Sequence, residues 1–357
     1  MSVYIIAEAG VNHNGSVEMS KDLVRTASEC GADAVKFQTF KTEKLVTGTA
    51  KKAKYQDEND DSSSTQEEML RRLELSDVEF ILLSKECEKY DIDFLTTCFD
   101  SESLQVICET ISPKVLKVGS GDLTNLPLIV DHARTGKKIV ISTGMATLSE
   151  VEDALAALAF GYLCQDRDDP PNYQWLKQNY FRPEMIELLG DKVTILHCVT
   201  DYPAQPQDLN LDAILQLKLA YKLDVGYSDH SLGMEACCAA VALGATCLEK
   251  HLTLDKALPG PDHAASASPQ EFKDFVAAIR NLELALRPRI KAPTERELGN
   301  LEVARKYLVV KKDIQPGEVF SIDNVEIKRS AFGMSPSLYW DVMGQVAKRG
   351  YSVGESI

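Results

Sequence analysis

Short apolar runs rich in β-branched residues recur along the chain, each followed by a stretch with apolar residues at helical spacing. The runs lie at 3–8, 34–38, 93–97, 115–119, 138–143, 193–199, 224–229 and 247–251. Between them stand segments such as "EMSKDLVRTASEC", "EVEDALAALAF" and "MEACCAAVALG". Ser76 with Glu79, Thr147 with Glu150, and Ser268 with Glu271 have capping-box spacing, and Pro269 stands at a first helical position. Near-continuous apolar strands alternating with helices predict a parallel sheet covered on its outer face. Eight such units, with no Gly-rich phosphate loop after the first strand, predict an α/β chain folded as a (β/α)8 barrel.

Two stretches break the rhythm. Residues 41–75, with "QDENDDSSST", read as a long polar loop after the second strand. Residues 164–190 read as an insertion before the sixth strand, and loops of such length in compact domains are usually functional. After the eighth helix the pattern changes. The barrel is expected over 1–287, a polar linker over 288–302, and a small β-rich domain over 303–357 with Pro-Gly and Gly turns. A unit of that size has a thin core and should lean on something else.

Composition narrows the class. The 39 Lys and Arg against 54 Asp and Glu give a net charge of −15, which argues against a nucleic-acid partner. The apolar runs fall short of the roughly 18 to 20 residues a membrane span needs, so no membrane partner is expected. The nine cysteines lack CxxC spacing, and several sit inside apolar runs, as expected of buried thiols in a reducing cytoplasm.

Chemistry in such barrels sits where the strands end. Those ends carry Glu8, Lys36 with Gln38, Thr97, Lys117 with Ser120, Ser142, Thr200 with Tyr202, Ser228 with His230, and Glu249 with His251. Lysines inside "AVKFQ" and "VLKVG" are not surface polarity. Lys36 and Lys117, with nearby hydroxyls and the "GSG" backbone at 119–121, suit an anion cradle. Pairing with Glu8 for structure alone, or a Schiff-base lysine, are the competing readings. His230 and His251 close successive strands, and two neutral imidazoles leave positions open on a divalent ion. His132 and His197 read as structural, whereas the loop residues His13 and His263 are left open.

The segments "AEAGVNHNG", "VKFQTF", "FLTTCF", "LKVGSGD", "STGM", "LHCVTDYP", "GYSDHS", "LEKHLTLD" and "GPDH" together resemble the sialic acid synthase family. Those enzymes condense phosphoenolpyruvate with an N-acylated mannosamine. The stretch "VVKKDIQPGEVFSIDNVEIKR" resembles that family's antifreeze-like (SAF) domain. The resemblance implies metal ligands at His230 and His251, with manganese first and magnesium or cobalt as alternatives. It implies phosphoenolpyruvate contacts at Lys36, Thr97, Lys117, Ser120, Ser142 and Ser228, with Thr200 standing where the family often has Asn. On the sugar side it implies Glu8, Gln38, Tyr202 and Asp262, with Arg329 reaching in from the SAF domain. The small domain would cover the barrel of a second subunit in a domain-swapped homodimer.

The activity this implies is metal-assisted attack of phosphoenolpyruvate on a sugar aldehyde, with Glu8, Lys36 and Lys117 as catalytic groups and Glu8 expected to be ionised. N-acetylmannosamine, giving N-acetylneuraminate, is the first acceptor. A legionaminic acid synthase and an N-acylneuraminate-9-phosphate synthase are the alternatives, and a Schiff-base aldolase stands further off. A non-catalytic binding protein is suggested only by the C-terminal domain.

Overall fold

The computed structural model describes residues 2–53, 56–57, 63, 65–165, 172–179, 182–287 and 290–357. Eight parallel strands close a barrel in chain order: β1 (Tyr4–Gly10), β2 (Ala34–Thr39), β3 (Asp93–Cys98), β4 (Val115–Val118), β5 (Lys138–Ser142), β6 (Val193–Cys198), β7 (Asp224–Asp229) and β8 (Cys247–His251). This is the (β/α)8 barrel expected from the rhythm of the chain.

Successive side chains on a strand face opposite ways, and that period of two divides the sequence into interior and exterior sets. Outward residues such as Ile5, Ala7, Val35, Phe37, Ile139 and Ile141 pack against the helices. The helix Val17–Glu29, capped by Ser16, returns Leu23, Val24 and Ala27 to that layer. Inward residues Ile6, Ala34, Leu95, Val140, Leu196 and Cys247 meet one another and plug the barrel. The three capping boxes read from the sequence are all formed. No helix among the described residues is long and apolar enough to cross a membrane.

The connection over 41–75 is more ordered than its polarity suggested. Within its described part, Thr65 caps the helix Gln66–Leu73, which buries Met69, Leu70 and Leu73. Dense charge in "QEEMLRRLEL" hides this narrow apolar stripe from a reading by composition. The described part of the 164–190 insertion forms the helices Tyr173–Asn179 and Pro183–Lys192. Residues 54–55, 58–62, 64, 166–171 and 180–181 of these two stretches lie outside the described residues.

The chain divides into two compact units, Met1–Arg287 and Pro288–Ile357. The stretch read as a polar linker carries the helix Glu295–Ala304, started by a capping box of Thr294 and Glu297. In the second unit β9 (Lys306–Val310) and β10 (Val325–Arg329) pair antiparallel. Its core is thin: Leu308, Val310, Ile314, Phe320, Val325, Val342 and Ala347.

Candidate active site

Strand register places ionisable groups beside one another at the top of the barrel. Glu8 is opposite Lys36 and His251, Thr97 opposite Lys117, and Ser228 opposite Glu249. Every barrel residue given a catalytic, substrate-binding or metal-binding role in the sequence lines one cavity of about 210 Å³ at this end. Arg329 lies apart from these in the chain, exposed on β10 of the second unit.

Lys36 Nζ lies 2.8 Å from Glu8 Oε2 and 3.7 Å from Glu249 Oε2, and it donates to Thr97 Oγ1 at 3.3 Å. Lys117 Nζ donates to Ser142 Oγ at 2.6 Å and to the Val118 carbonyl at 3.1 Å. Its ammonium is 3.9 Å from Glu249 Oε1, which also accepts from Ser228 Oγ at 3.0 Å. Gln38 Nε2 donates to Glu8 Oε1 at 3.3 Å. All four charged side chains are buried. In the sequence Glu249 is one polar strand end among several; in the structure it bridges both lysines. Its position two residues before His251 was the available signal, since that spacing faces the same way.

The two carboxylates divide the lysines unequally. Burial pushes Glu8 up to about 7, against the pull of Lys36 and with the added repulsion of Glu249. Burial thus sets Glu8 well above the usual carboxylate range even with the Lys36 ammonium beside it. Burial also acts to raise Glu249, but Lys117 and Lys36 together outweigh it and hold that carboxyl at about 2. Burial works to lower both lysines. It prevails at Lys117, whereas Glu249 and Glu8 overcome it at Lys36 and raise that group. Burial likewise lifts Asp262 to about 6.

Beyond Lys117 the cradle tightens. The Gly144 amide donates to Ser120 Oγ at 2.9 Å, and Ser120 Oγ meets Cys198 Sγ at 3.1 Å. A Cβ at Gly144 would stand 2.2 Å from Thr200 Oγ1 and 2.8 Å from Ser120 Oγ, so only glycine lets these donors converge.

His230 and His251 face each other across 5.6 Å between ring centroids, and Tyr202 lies 4.1 Å from the His230 ring. Burial lowers the pKa of both imidazoles, and the proximity of His230 adds to the effect at His251. His230 Nδ1 lies 2.6 Å from the Val199 carbonyl, which can only accept, so Nε2 keeps its lone pair. The buried Nδ1 of His251 has no hydrogen-bond partner. Two neutral imidazoles, one with an orphaned nitrogen, fit a divalent cation. Among the described residues no group of three or more His, Cys, Asp or Glu side chains is placed to hold a metal.

Behind these two strands, Asp229 and Lys250 point outward in direct register and form a 2.6 Å buried ion pair. Asp229 also accepts from the Ser231 amide and hydroxyl, at 2.9 and 2.6 Å. His132 Nδ1 and His197 Nε2 pair with the Leu128 and Leu209 carbonyls at 2.8 Å each, away from the cavity, while the buried His132 Nε2 has no hydrogen-bond partner. His263 Nδ1 meets Thr253 Oγ1 at 2.7 Å, and His13 Nδ1 accepts from the Gly15 amide at 3.0 Å. Neither His13 nor His263 lines the cavity.

The profile of the NeuB family matches residues 23–291, and that of the SAF domain matches residues 305–356. The chain is 43% identical over 356 residues to the N,N'-diacetyllegionaminic acid synthase of Campylobacter jejuni, covering 99% of this chain and 98% of that one. It is 39% identical to the enzyme of the same name from Legionella pneumophila, covering 100% and 94%. Among solved structures, the N-acetylneuraminic acid synthetase of Leptospira borgpetersenii matches with a TM-score of 0.68 at 30% identity, covering 85% of this chain and 91% of that one.

Proposed function

The chain belongs to the NeuB family of nonulosonic acid synthases, and on that premise we propose that it joins phosphoenolpyruvate to the aldehyde carbon of an N-acylated mannosamine-type sugar. N-acetylmannosamine is the acceptor the motifs suggest first. The names of the two bacterial relatives favour the diacetylated member of the class. The observation that carries the reading is the convergence of Lys36 and Lys117 on Glu249, in one cavity with two neutral imidazoles.

Lys36 and Lys117 hold the phosphate and carboxylate of phosphoenolpyruvate, aided by the hydroxyls of Thr97, Ser120, Ser142, Thr200 and Ser228. An arriving anion favours the protonated form of Lys117, opposing the effect of its burial. This cradle fixes C3 of the enol against the aldehyde carbon, converting an encounter into a positioned reaction. His230 through Nε2, and His251 through its ring nitrogen, would hold a divalent ion, manganese first. Such an ion supplies Lewis acidity toward a carbonyl oxygen.

Bond formation between C3 and the aldehyde carbon leaves positive charge at C2. The Glu8 carboxylate opposes that charge and takes a proton from the water that adds there. The bond from C2 to the phosphate ester oxygen then breaks, and phosphate leaves with the electron pair. The C2 hydroxyl releases its proton with the phosphate and becomes the ketone of the product, and the former aldehyde oxygen receives the proton that Glu8 took from water. Gln38, Tyr202 and Asp262 orient the sugar. In a homodimer, the SAF domain of the partner would bring Arg329 to the same substrate.

The test is phosphate release from phosphoenolpyruvate by the full chain. The expected result is release that requires an N-acylated mannosamine-type sugar, stops with a chelator, and returns with manganese. A second reading draws on the lowered pKa of Lys117, which suits a Schiff-base nucleophile. Borohydride trapping of a keto acid on Lys117 would favour that reading over ours.

A further inference from the structure

We infer that an apolar wall of Val11, Met69, Leu70, Leu73 and Phe99 receives the end of the acceptor sugar remote from its aldehyde, selecting methyl or acyl groups there and rejecting phosphate. The inference rests on the synthase reading above and adds to it the residues that choose among acceptors.

The order of groups around the rim makes the case. The hydroxyl and amide donors that surround Lys117 come from β4 to β6, and the two imidazoles come from β7 and β8. The remaining arc, from β1 to the end of β3, carries the large aliphatic and phenyl side chains of the described lining, beside the polar Glu8, Lys36, Gln38, Gln56 and Thr97. Val11 follows β1, Phe99 follows β3, and Met69, Leu70 and Leu73 lie on Gln66–Leu73, one of the helices between β2 and β3. With Phe40 they form a cluster of their own, separate from the barrel core.

That helix is built to present this face. Met69, Leu70 and Leu73 are buried, while Glu68, Arg71 and Arg72 on its other side are exposed. An aldehyde near the imidazoles and an enol in the cradle leave the far carbons of the sugar toward the β1–β3 arc. Among the described lining residues the cations are Lys36 and Lys117, and both are engaged with carboxylates or with Ser142. Glu8 and Asp262 line the same cavity, and the ammonium of this arc, Lys36, is already paired with Glu8. A phosphate dianion at the wall would therefore meet hydrocarbon and carboxyl groups without a free cation among the described lining residues.

The experiment measures phosphate release by the full chain with manganese and three acceptors: N-acetylmannosamine, its 6-phosphate, and 2,4-diacetamido-2,4,6-trideoxymannose. We expect kcat/KM for the trideoxy sugar to exceed that for N-acetylmannosamine by about 10- to 200-fold, the range an apolar pocket achieves per added contact. The 6-phosphate should be the poorest of the three. Leu70→Ala should raise KM for the trideoxy sugar about tenfold and leave KM for phosphoenolpyruvate unchanged, a split that a loss of folding would not give. Should Leu70→Ala misfold, the wild-type series decides alone. Equal use of all three sugars, or a preference for the 6-phosphate, overturns the wall while the synthase stands. Phosphate release with none of them overturns the synthase reading and the wall with it.

Discussion

Two layers of the barrel interior, separated by two residues on each strand, have opposite chemistry. The lower layer holds Ile6, Ala34, Leu95, Val115, Val140 and Cys247; the upper holds Glu8, Lys36, Thr97, Lys117, Ser142 and Glu249. Each upper residue follows its lower counterpart by two positions, a rise of about 6.6 Å along a strand. The lower layer excludes water and stabilises by burial of hydrocarbon. The upper layer spends part of that stability on buried charges, which net little when paired and are destabilising when a partner is lost. The contrast teaches that the fold is secured below so that strained electrostatics can be carried above.

Substitutions in the two layers should therefore separate activity from stability. The largest effect is expected at Glu8→Gln, which keeps the shape of the side chain and removes its proton chemistry. Its kcat should fall by about 10²- to 10⁴-fold at a temperature where the variant is fully folded, with some stability lost because Lys36 keeps only Glu249 as a charged partner; single-turnover phosphate release and thermal denaturation check both halves. A wild-type kcat would end the assignment of Glu8.

Asp229→Asn sharpens the contrast because it removes a charge that faces outward. Lys250 would be left buried without its partner, with a loss of about 3–5 kcal/mol in stability measured by denaturant unfolding. In the lower layer, Leu95→Ala should cost about 2–5 kcal/mol and leave KM for phosphoenolpyruvate unchanged at a temperature where the protein is folded. If Leu95→Ala altered KM as strongly as stability, the separation between layers would fail.

The smallest expected effect is in the pH profile. Because burial raises Glu8 to about 7, its catalytic carboxylate form grows as pH rises through that value, and kcat should climb up to tenfold per unit below it. Stability moves the opposite way for this group. Its folded pKa exceeds the unfolded value of 4.5, so its contribution is full below 4.5 and is lost as pH rises through about 7. Glu8→Gln should flatten both dependences, which a pH series of kcat and of unfolding free energy would show.

Much of the molecule was legible along the chain. The strand pattern points to the barrel because parallel strands covered on both sides must read as short apolar runs. A polar residue in such a run faces the interior mouth when it falls in the inward phase of the strand, whereas Asp229 and Lys250, in the outward phase, must pair with each other. That logic exposed Glu8, Lys36, Lys117, His230 and His251 before any contact was known. Glu249 was visible only as one more polar strand end, because nothing local says that two lysines from distant strands will meet it. The helix Gln66–Leu73 escaped notice because its three buried residues are scattered among charges and acquire meaning only against Val11 and Phe99.

What the sequence by itself determined is the order of elements, the interior face of every strand, and the kinds of groups gathered at one end. What the tertiary structure alone decided is how those groups divide charge among themselves: which carboxyl is pushed up and which held down, which lysine is raised and which lowered, and where the apolar side chains of the rim lie. The reason is physical. Periodicity is a property of adjacent residues, whereas desolvation and Coulomb interaction depend on distances across the barrel that only closure of the sheet sets.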